Sequence, residues 1–437
     1  MTARRILIAG WLVFLLFAYP GYLTIESVDQ LLDARVGSNT DWYAPVLSAI
    51  WRWVHHVVAG PVGMLVVQSG LFLAGLHALL RRALPARQAA VAAIAILCFP
   101  PVAAPLAVIW RDAQLAGFLL AGAAALTSDR RGFRIAGVAL VILGTTMRDA
   151  AALAALPLVI ACFPWPEGGR PWSRRLAAGG AWIMIAVVAH GLDSCAVDTE
   201  TDRAELARAR LDIIGVLRYA HDATDAELRA ELERAGVVAV AATDLRREAR
   251  RIYRNTGAHA ELLPLPDQAD ANARATLLRA RRTMALAHPG AYLTHRSRQL
   301  RILLGFEPSA GWRPVYAFFL EDPSHPALTS HRAKHSWVQR QLIRGAKRFP
   351  SVCFRPYVYA LLALALLPLA IVRRDRIAGA LLASGLLYEL ALAFTETVPE
   401  YRHSHWMIAC TTIATVMLAA QELRRRRADR PPHAPST

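Results

Sequence analysis

Ten blocks of apolar residues dominate this chain, at roughly 6–25, 61–80, 89–108, 113–127, 135–147, 151–163, 176–194, 356–372, 377–395 and 405–421. The longer ones approach the ~20 apolar residues that a helix needs to cross a bilayer. A soluble helix spaces its apolar residues every three or four positions, whereas these run continuously. The expected fold is an all-α polytopic membrane protein with about ten transmembrane helices. The stretch 135–163 contains short blocks and is the least certain to parse as two spans.

The charge pattern agrees. The chain is 55% hydrophobic yet carries a formal charge of +17, which by itself would suit a nucleic-acid partner. With Arg4 and Arg5 placed in the cytoplasm, the basic clusters at 81–87, 130–134, 170–175, 373–376 and 424–430 all fall on that side. Together with Arg4 and Arg5 they put 19 arginines on that side, against five acids, as the positive-inside rule requires. The charge therefore reports topology, and no nucleic-acid partner is expected. Arg4-Arg5 and the following apolar run look like a signal peptide. The run is longer than usual and lacks a small-x-small cleavage site, so it reads as a retained first span. The 48 arginines against two lysines suggest a GC-rich bacterial source, and the expected location is the bacterial inner membrane with both termini cytoplasmic.

The domain reading follows. Residues 1–194 form an N-terminal transmembrane region with a first outer loop at 26–60. Residues 195–355 form a mainly helical extracytoplasmic domain between spans seven and eight. Residues 356–421 form a C-terminal transmembrane region, and 422–437 a basic tail. Within the outer segment, 205–220, 225–235, 245–254 and 271–287 read as helices, with Thr224 capping the second. Its halves differ in charge. Residues 196–273 carry 11 basic and 15 acidic groups, and residues 274–350 carry 14 and three. The basic half suits either an anionic membrane surface or a solvated face.

Ionisable residues gather in the outer loops. The stretch Ile25 to Pro45 holds Glu26, Asp29, Asp33 and Asp41 with Trp42 and Tyr43, just outside the first span. Trp110-Arg111-Asp112, Met147-Arg148-Asp149 and the run from Thr395 to His405 face the same compartment. Acids and arginines at one membrane–water boundary suit an enzyme acting on a lipid-borne substrate.

This layout resembles the polytopic glycosyltransferases of the GT-C fold, which use a sugar on a polyprenyl phosphate; protein O-mannosyltransferases and lipid A arabinosyltransferases are members. Asp29 occupies the place of their acidic residue after the first span. Asp41-Trp42-Tyr43-Ala44-Pro45 is similar to an Asp-Trp-His-Pro-Pro segment of bacterial members, with Tyr43-Ala44 in place of His-Pro. Trp110-Arg111-Asp112 resembles the second acidic motif, Arg148 the arginine after the fifth span, and Tyr401-Arg402 the basic motif before the last. The resemblance implies a polyprenyl-phosphate sugar donor, membrane lipids around the protein, and a glycan, lipid or protein acceptor.

Such a transfer needs a carboxylate to take the acceptor's proton and cations to hold the leaving phosphate. Asp29 is the expected base, with Asp41 and Asp112 as the other catalytic acids. Arg148 and Arg402 are the expected phosphate ligands, with Arg111 in reserve. Gln30, Trp42, Tyr43, Glu400, Tyr401 and His403 are the expected substrate contacts. Arginines would do the electrostatic work, so no cofactor is expected, although the sequence leaves a divalent metal open. Other readings stand beside these. Asp29 also suits the cap of a helix starting near Gln30, and Trp42 suits an interfacial anchor. A polysaccharide ligase or polymerase would use His295-Arg296-Ser297-Arg298, and a lipid-linked sugar flippase would share the topology.

Of the five cysteines, Cys98, Cys162 and Cys410 fall inside spans. Cys195 and Cys353 bracket the outer segment at its two membrane attachments. A disulfide between them is expected if those spans are neighbours.

Overall fold

A computed structural model describes residues 2–37, 39, 43–165, 171–198, 203–237, 245–254, 271–307, 312–317 and 335–428. Among these residues the structure is helical, with one isolated parallel bridge between Tyr22 and Val108. The first helices are α1 (Ala3–Ala18), α2 (Ile25–Val36), α3 (Pro45–Val57), α4 (Val62–Ala83), α5 (Ala86–Leu97) and α6 (Pro100–Leu106). Then come α7 (Arg111–Leu126), α8 (Arg131–Thr146), α9 (Ala151–Cys162) and α10 (Pro171–Ala196). The outer segment supplies α11 (Arg203–Tyr219), α12 (Asp225–Arg234), α13 (Leu245–Arg254), α14 (Ala271–Ala287), α15 (Pro289–Leu303) and α16 (Trp337–Arg348). The last three are α17 (Pro356–Val372), α18 (Arg376–Thr395) and α19 (His405–Ala428).

Among the described residues four helical stretches are long and apolar enough to cross a membrane: α4, Arg175–Ala196 within α10, α18, and Tyr401–Arg426 leading into α19. A fifth forms if α5 and α6, bent by 68° at their junction, are one broken span. Pro100 and Pro101 start α6, and prolines there interrupt the hydrogen-bond ladder of the block at 89–108. The remaining blocks make shorter helices. α1, α7 and α8 have 16 residues each, about 24 Å of rise, short of the ~30 Å hydrocarbon core. The ambiguous stretch 135–163 is two helices, α8 and α9, separated at 147–150.

Glycine sets the closest packing in the bundle. A Cβ on Gly75 would stand 2.5 Å from the backbone of Leu120 and Ala121. One on Gly137 would stand 2.8 Å from the Leu126 nitrogen, and one on Gly122 2.8 Å from the Val141 side chain. Small residues thus let α4, α7 and α8 approach backbone to backbone. The antiparallel contact of α7 with α8 lays the start of α7 beside the end of α8, so Asp112 and Arg148 meet.

The segment between α10 and α17 forms helices where the sequence predicts them. Thr224 caps α12 in a capping box, accepting from the Glu227 N–H at 3.3 Å while the Glu227 carboxylate accepts from the Thr224 N–H at 2.6 Å. Helices α11 to α14 share a hydrophobic cluster of their own, including Ile213, Leu217, Leu228 and Leu277. That separate core is narrower than 195–355. Leu303, Ala317, Ile343 and Phe354 belong instead to the core of the bundle.

Cys195 and Cys353 are free thiols, which corrects the expected disulfide. Helix α10, which carries Cys195, packs on α3, α8 and α9, whereas α17, after Cys353, packs on α18 and α19. The two helices share no extensive packing that would bring the two thiols together, and no bridge forms.

Candidate functional site

A cavity of about 580 Å³ opens at the end of the bundle where α7, α9, α18 and α19 turn. It is assembled by loop stitching. The Tyr22 N–H donates to the Ala107 carbonyl at 3.0 Å and the Ile109 N–H to the Tyr22 carbonyl at 3.0 Å. Ser27 Oγ donates to the Ile109 carbonyl at 2.7 Å, and Trp110 Nε1 to Thr24 Oγ1 at 2.9 Å. Gln68 Nε2 holds the same loop from below through the Leu106 and Val108 carbonyls at 2.7 and 3.0 Å. These bonds fix the first turn of α2 against the first turn of α7.

Two ion networks result. Glu26 lies 3.2 Å from Arg111 Nε and is also bound by Arg402 Nη1. Arg402 donates from Nε to Glu400 at 2.7 Å, and its guanidinium stacks 4.8 Å from the Trp110 ring centre. Behind this pair, Arg148 binds Asp112 with two bonds of 2.6 and 3.0 Å and Glu396 with one of 2.5 Å. Arg148, Asp112, Glu396 and Glu26 are all buried. The Glu396 carboxylate also accepts from the Thr397 N–H at 3.1 Å. His403 Nδ1 accepts from the Glu400 N–H at 3.3 Å, and the ring then lies 3.5 Å from Glu396.

The carboxyls differ in basicity. Burial alone would raise Glu26, but Arg402 and Arg111 outweigh it and hold its pKa below the usual carboxylate range. Burial likewise opposes Arg148 at Glu396, and Arg148 wins, so that pKa is also lowered. Glu400 goes the other way: burial pushes it up, Arg402 opposes, and the Glu26 and Glu396 charges add to the rise. Its side chain is also the most open of the four carboxyls in the two networks, 34% exposed against 8% for Glu26, 10% for Glu396 and 2% for Asp112. Charges buried and paired in this way are weak evidence for stability, while perturbed acids gathered in a cleft mark functional sites.

The expected residues divide. Asp112, Arg111, Arg148, Arg402, Glu400, Tyr401, His403 and Tyr43 converge here; all but Asp112 line the cavity, and Asp112 stands behind Arg148. Asp29 does not line it. Its carboxylate accepts from the Tyr43 hydroxyl at 2.8 Å, one residue removed from the wall. Nor does Asp29 cap α2, because Thr24 does so with Ser27. Gln30 is buried with its amide unpaired among the described residues, away from the cavity. Tyr401 is an anchor, donating to the Pro101 carbonyl at 3.0 Å with its ring against Trp312 and Phe354. Asp41 and Trp42 lie outside the described residues. His295 and Arg296, the ligase alternative, are buried on Asp212, with Arg296 Nη2 2.6 Å from it, and do not line the cavity.

Sequence reasoning missed Glu26, Glu396 and Arg313 as wall residues. Glu26 sits one helical turn before Asp29 on the same face of α2, which was a signal available in the spacing. Arg313 lines the cavity, is exposed, and has no acidic partner among the described residues. Among the described residues no group of three His, Cys, Asp or Glu is arranged to hold a metal ion. Comparison of the chain with protein-family models, curated proteins and solved structures gives no match.

Proposed function

We propose that this chain is a membrane glycosyltransferase of the GT-C type, which moves a sugar from a polyprenyl-phosphate donor to an acceptor on the outer face of a bacterial inner membrane. One observation carries the reading: carboxylates and arginines from four distant loops converge on a single cavity at the end of the bundle opposite its arginine-rich end. The ten-span layout, with both termini cytoplasmic, belongs to the same reading and lets the shorter helices cross beside the four long ones.

Glu400 replaces Asp29 as the base. Of the four carboxyls in the two ion networks it is the most exposed and the one whose basicity is raised, which makes it the better proton acceptor among them; Asp149 and Asp193 also line the cavity, Asp149 paired with Arg208. Glu400 takes the proton from the acceptor hydroxyl. The acceptor oxygen bonds to the anomeric carbon as the bond to the phosphate oxygen breaks, and polyprenyl phosphate leaves as the anion. A single displacement inverts the anomeric configuration. Arg148 is already held by two carboxylates, so it shapes the site and does not bind phosphate. Arg111, 23% exposed, and Arg313, which has no acidic partner among the described residues, are the cations open to the leaving group, where a planar guanidinium suits phosphate.

The test is transfer of labelled sugar by purified protein in nanodiscs from hexosyl and pentosyl polyprenyl phosphates. Release of polyprenyl phosphate with inversion at the anomeric carbon is the expected result. Absence of release across that panel, from folded protein, overturns the reading.

A further inference from the structure

The opposite end of the bundle holds a second cavity that the proposed transfer does not use. It measures about 690 Å³ and is walled by Arg82, Arg373, Arg374, Arg376, Arg424 and Arg425. Two of these are engaged: Arg82 donates to the Thr127 carbonyl, and Arg373 pairs with Glu422 at 2.6 Å. Arg374, Arg376, Arg424 and Arg425 are exposed and have no acidic partner among the described residues. The one acid in the wall, Asp375, is occupied. It caps α18 through the Ile377 and Ala378 N–H groups and accepts from Gln421 Nε2 at 2.6 Å.

This cavity is continuous with an apolar groove of about 1170 Å³, since Ala161, Phe163, Pro164 and Arg374 to Arg376 line both. The groove runs between α9, α10, α17 and α18, over Ile160, Leu367, Ala370, Ile371, Gly379 and Ala383. It exists because α10 stands at the edge of the bundle, with only 17% of its apolar window buried. Trp165 lies at the junction, its ring 4.7 Å from that of Phe163 and its Nε1 bonded to the Val159 carbonyl at 3.2 Å. Aromatic rings take this place at headgroup depth.

We propose that this end is a binding site for an anionic phospholipid, with the phosphate headgroup among the four unpaired arginines and the acyl chains along the groove. The proposal rests on the chain spanning a bilayer and is independent of the reaction at the other end. Sidedness alone calls for arginines spread over the cytoplasmic face. It does not call for six of them around one cavity, or for that cavity to open into an apolar channel. A basic pocket between spans on the cytoplasmic side suits the headgroup of a phospholipid with more than one phosphate. A soluble anion would leave the groove unfilled, and a zwitterionic lipid would leave the arginines uncompensated.

The experiment uses delipidated full-length protein in a non-ionic detergent. Thermal unfolding is followed during titration with diphosphatidylglycerol, with phosphatidylcholine of the same chains, and with glycerol 3-phosphate. Saturable stabilisation by the first alone is expected. Equal stabilisation by phosphatidylcholine, or by glycerol 3-phosphate, overturns the proposal. Arg374→Gln/Arg376→Gln/Arg425→Gln should weaken diphosphatidylglycerol binding by about a hundredfold, at roughly fivefold per arginine near an anionic headgroup. Arg4→Gln/Arg5→Gln, which removes charge from the same side but not from this cavity, should leave it unchanged; equal losses in both variants would overturn the site. Should the triple variant not fold, quenching by brominated diphosphatidylglycerol gives a second measure. The part of that quenching lost in Trp165→Phe must exceed the part lost with brominated phosphatidylcholine, and equality rejects the proposal.

Discussion

The two ends of the bundle use the same residue, arginine, in opposite ways. At the end that holds the 580 Å³ cavity, Arg148 and Arg402 are enclosed and each binds two carboxylates. At the other end Arg374, Arg376, Arg424 and Arg425 stand open, with no acidic partner among the described residues. The ends are joined by the same helices: α7 runs from Arg111 at one cavity to Leu126 beside the other, about 24 Å away. Burial explains the difference. A charge removed from water must be compensated within the protein, whereas an exposed one is compensated by water, salt or lipid. The outer end is therefore a preorganised site whose members depend on one another. The arginine end is a set of independent charges that a ligand can still claim.

The contrast is sharpest for turnover. Glu400→Gln should lower sugar transfer by about 10²- to 10⁴-fold, the usual size of a lost general base, while Arg376→Gln should leave it unchanged. The base works only when ionised. Since the Glu400 pKa lies above the ordinary 4.5, activity should be lost on acidification at a higher pH than for an ordinary glutamate. Glu26→Gln removes a neighbouring negative charge and releases Arg402 toward Glu400. Both effects lower the Glu400 pKa, so the acid limb of kcat/KM should move to lower pH. A limb that stays in place would show that another group titrates.

Stability should divide the ends next. Arg148→Ala leaves Asp112 and Glu396 buried without their cation and should cost about 3–5 kcal/mol in thermal unfolding. The Glu396 pKa is depressed in the folded protein. Its contribution is therefore present above the ordinary carboxylate pKa and is lost as pH falls through the depressed value. In Arg148→Ala that carboxyl is free to protonate, so the difference from wild type should shrink at acid pH. A constant penalty across that window would mean that Arg148 acts through packing and not through charge.

Much of this was legible in the sequence, and what was not has physical causes. Helices α11 to α14 were visible because caps and acidic first turns act locally, as at Thr224 and Glu227. The convergence of Asp112, Arg148 and Arg402 at one end of the bundle agrees with the loop positions read from the sequence, since alternate loops of a helical bundle gather at the same end. The choice among neighbouring acids was not legible in this way. Glu26 and Asp29 lie one turn apart, and it is the stitching of Ser27 to Ile109 and Trp110 to Thr24 that sets Glu26 against Arg111 and Arg402. The pairing of Cys195 with Cys353 failed for a similar reason. Positions at the two ends of a segment say nothing about which helices pack together.

Arg313 separates binding from assembly within the outer cavity. It lines the wall but belongs to neither ion network. Arg313→Ala should therefore raise KM for the donor about tenfold, the worth of one charge-assisted hydrogen bond, with thermal stability unchanged. An unchanged KM would place the donor phosphate on Arg111 alone. A large loss of stability would mean that Arg313 is tied into the fold after all.

The smallest effect is expected at the arginine end, where it tests whether the charges are independent. Arg374 has φ +55°, a left-handed conformation, and among the described residues no other non-glycine residue has positive φ. A side chain there costs about 1 kcal/mol relative to glycine, partly offset by the greater freedom of an unfolded glycine. In detergent free of anionic lipid, Arg374→Gly should therefore stabilise by a few tenths of a kcal/mol, and Arg374→Lys, which keeps both charge and Cβ, should change nothing. If removing that charge instead destabilises by as much as Arg148→Ala does, the arginine end is also a coupled network and the contrast between the two ends fails.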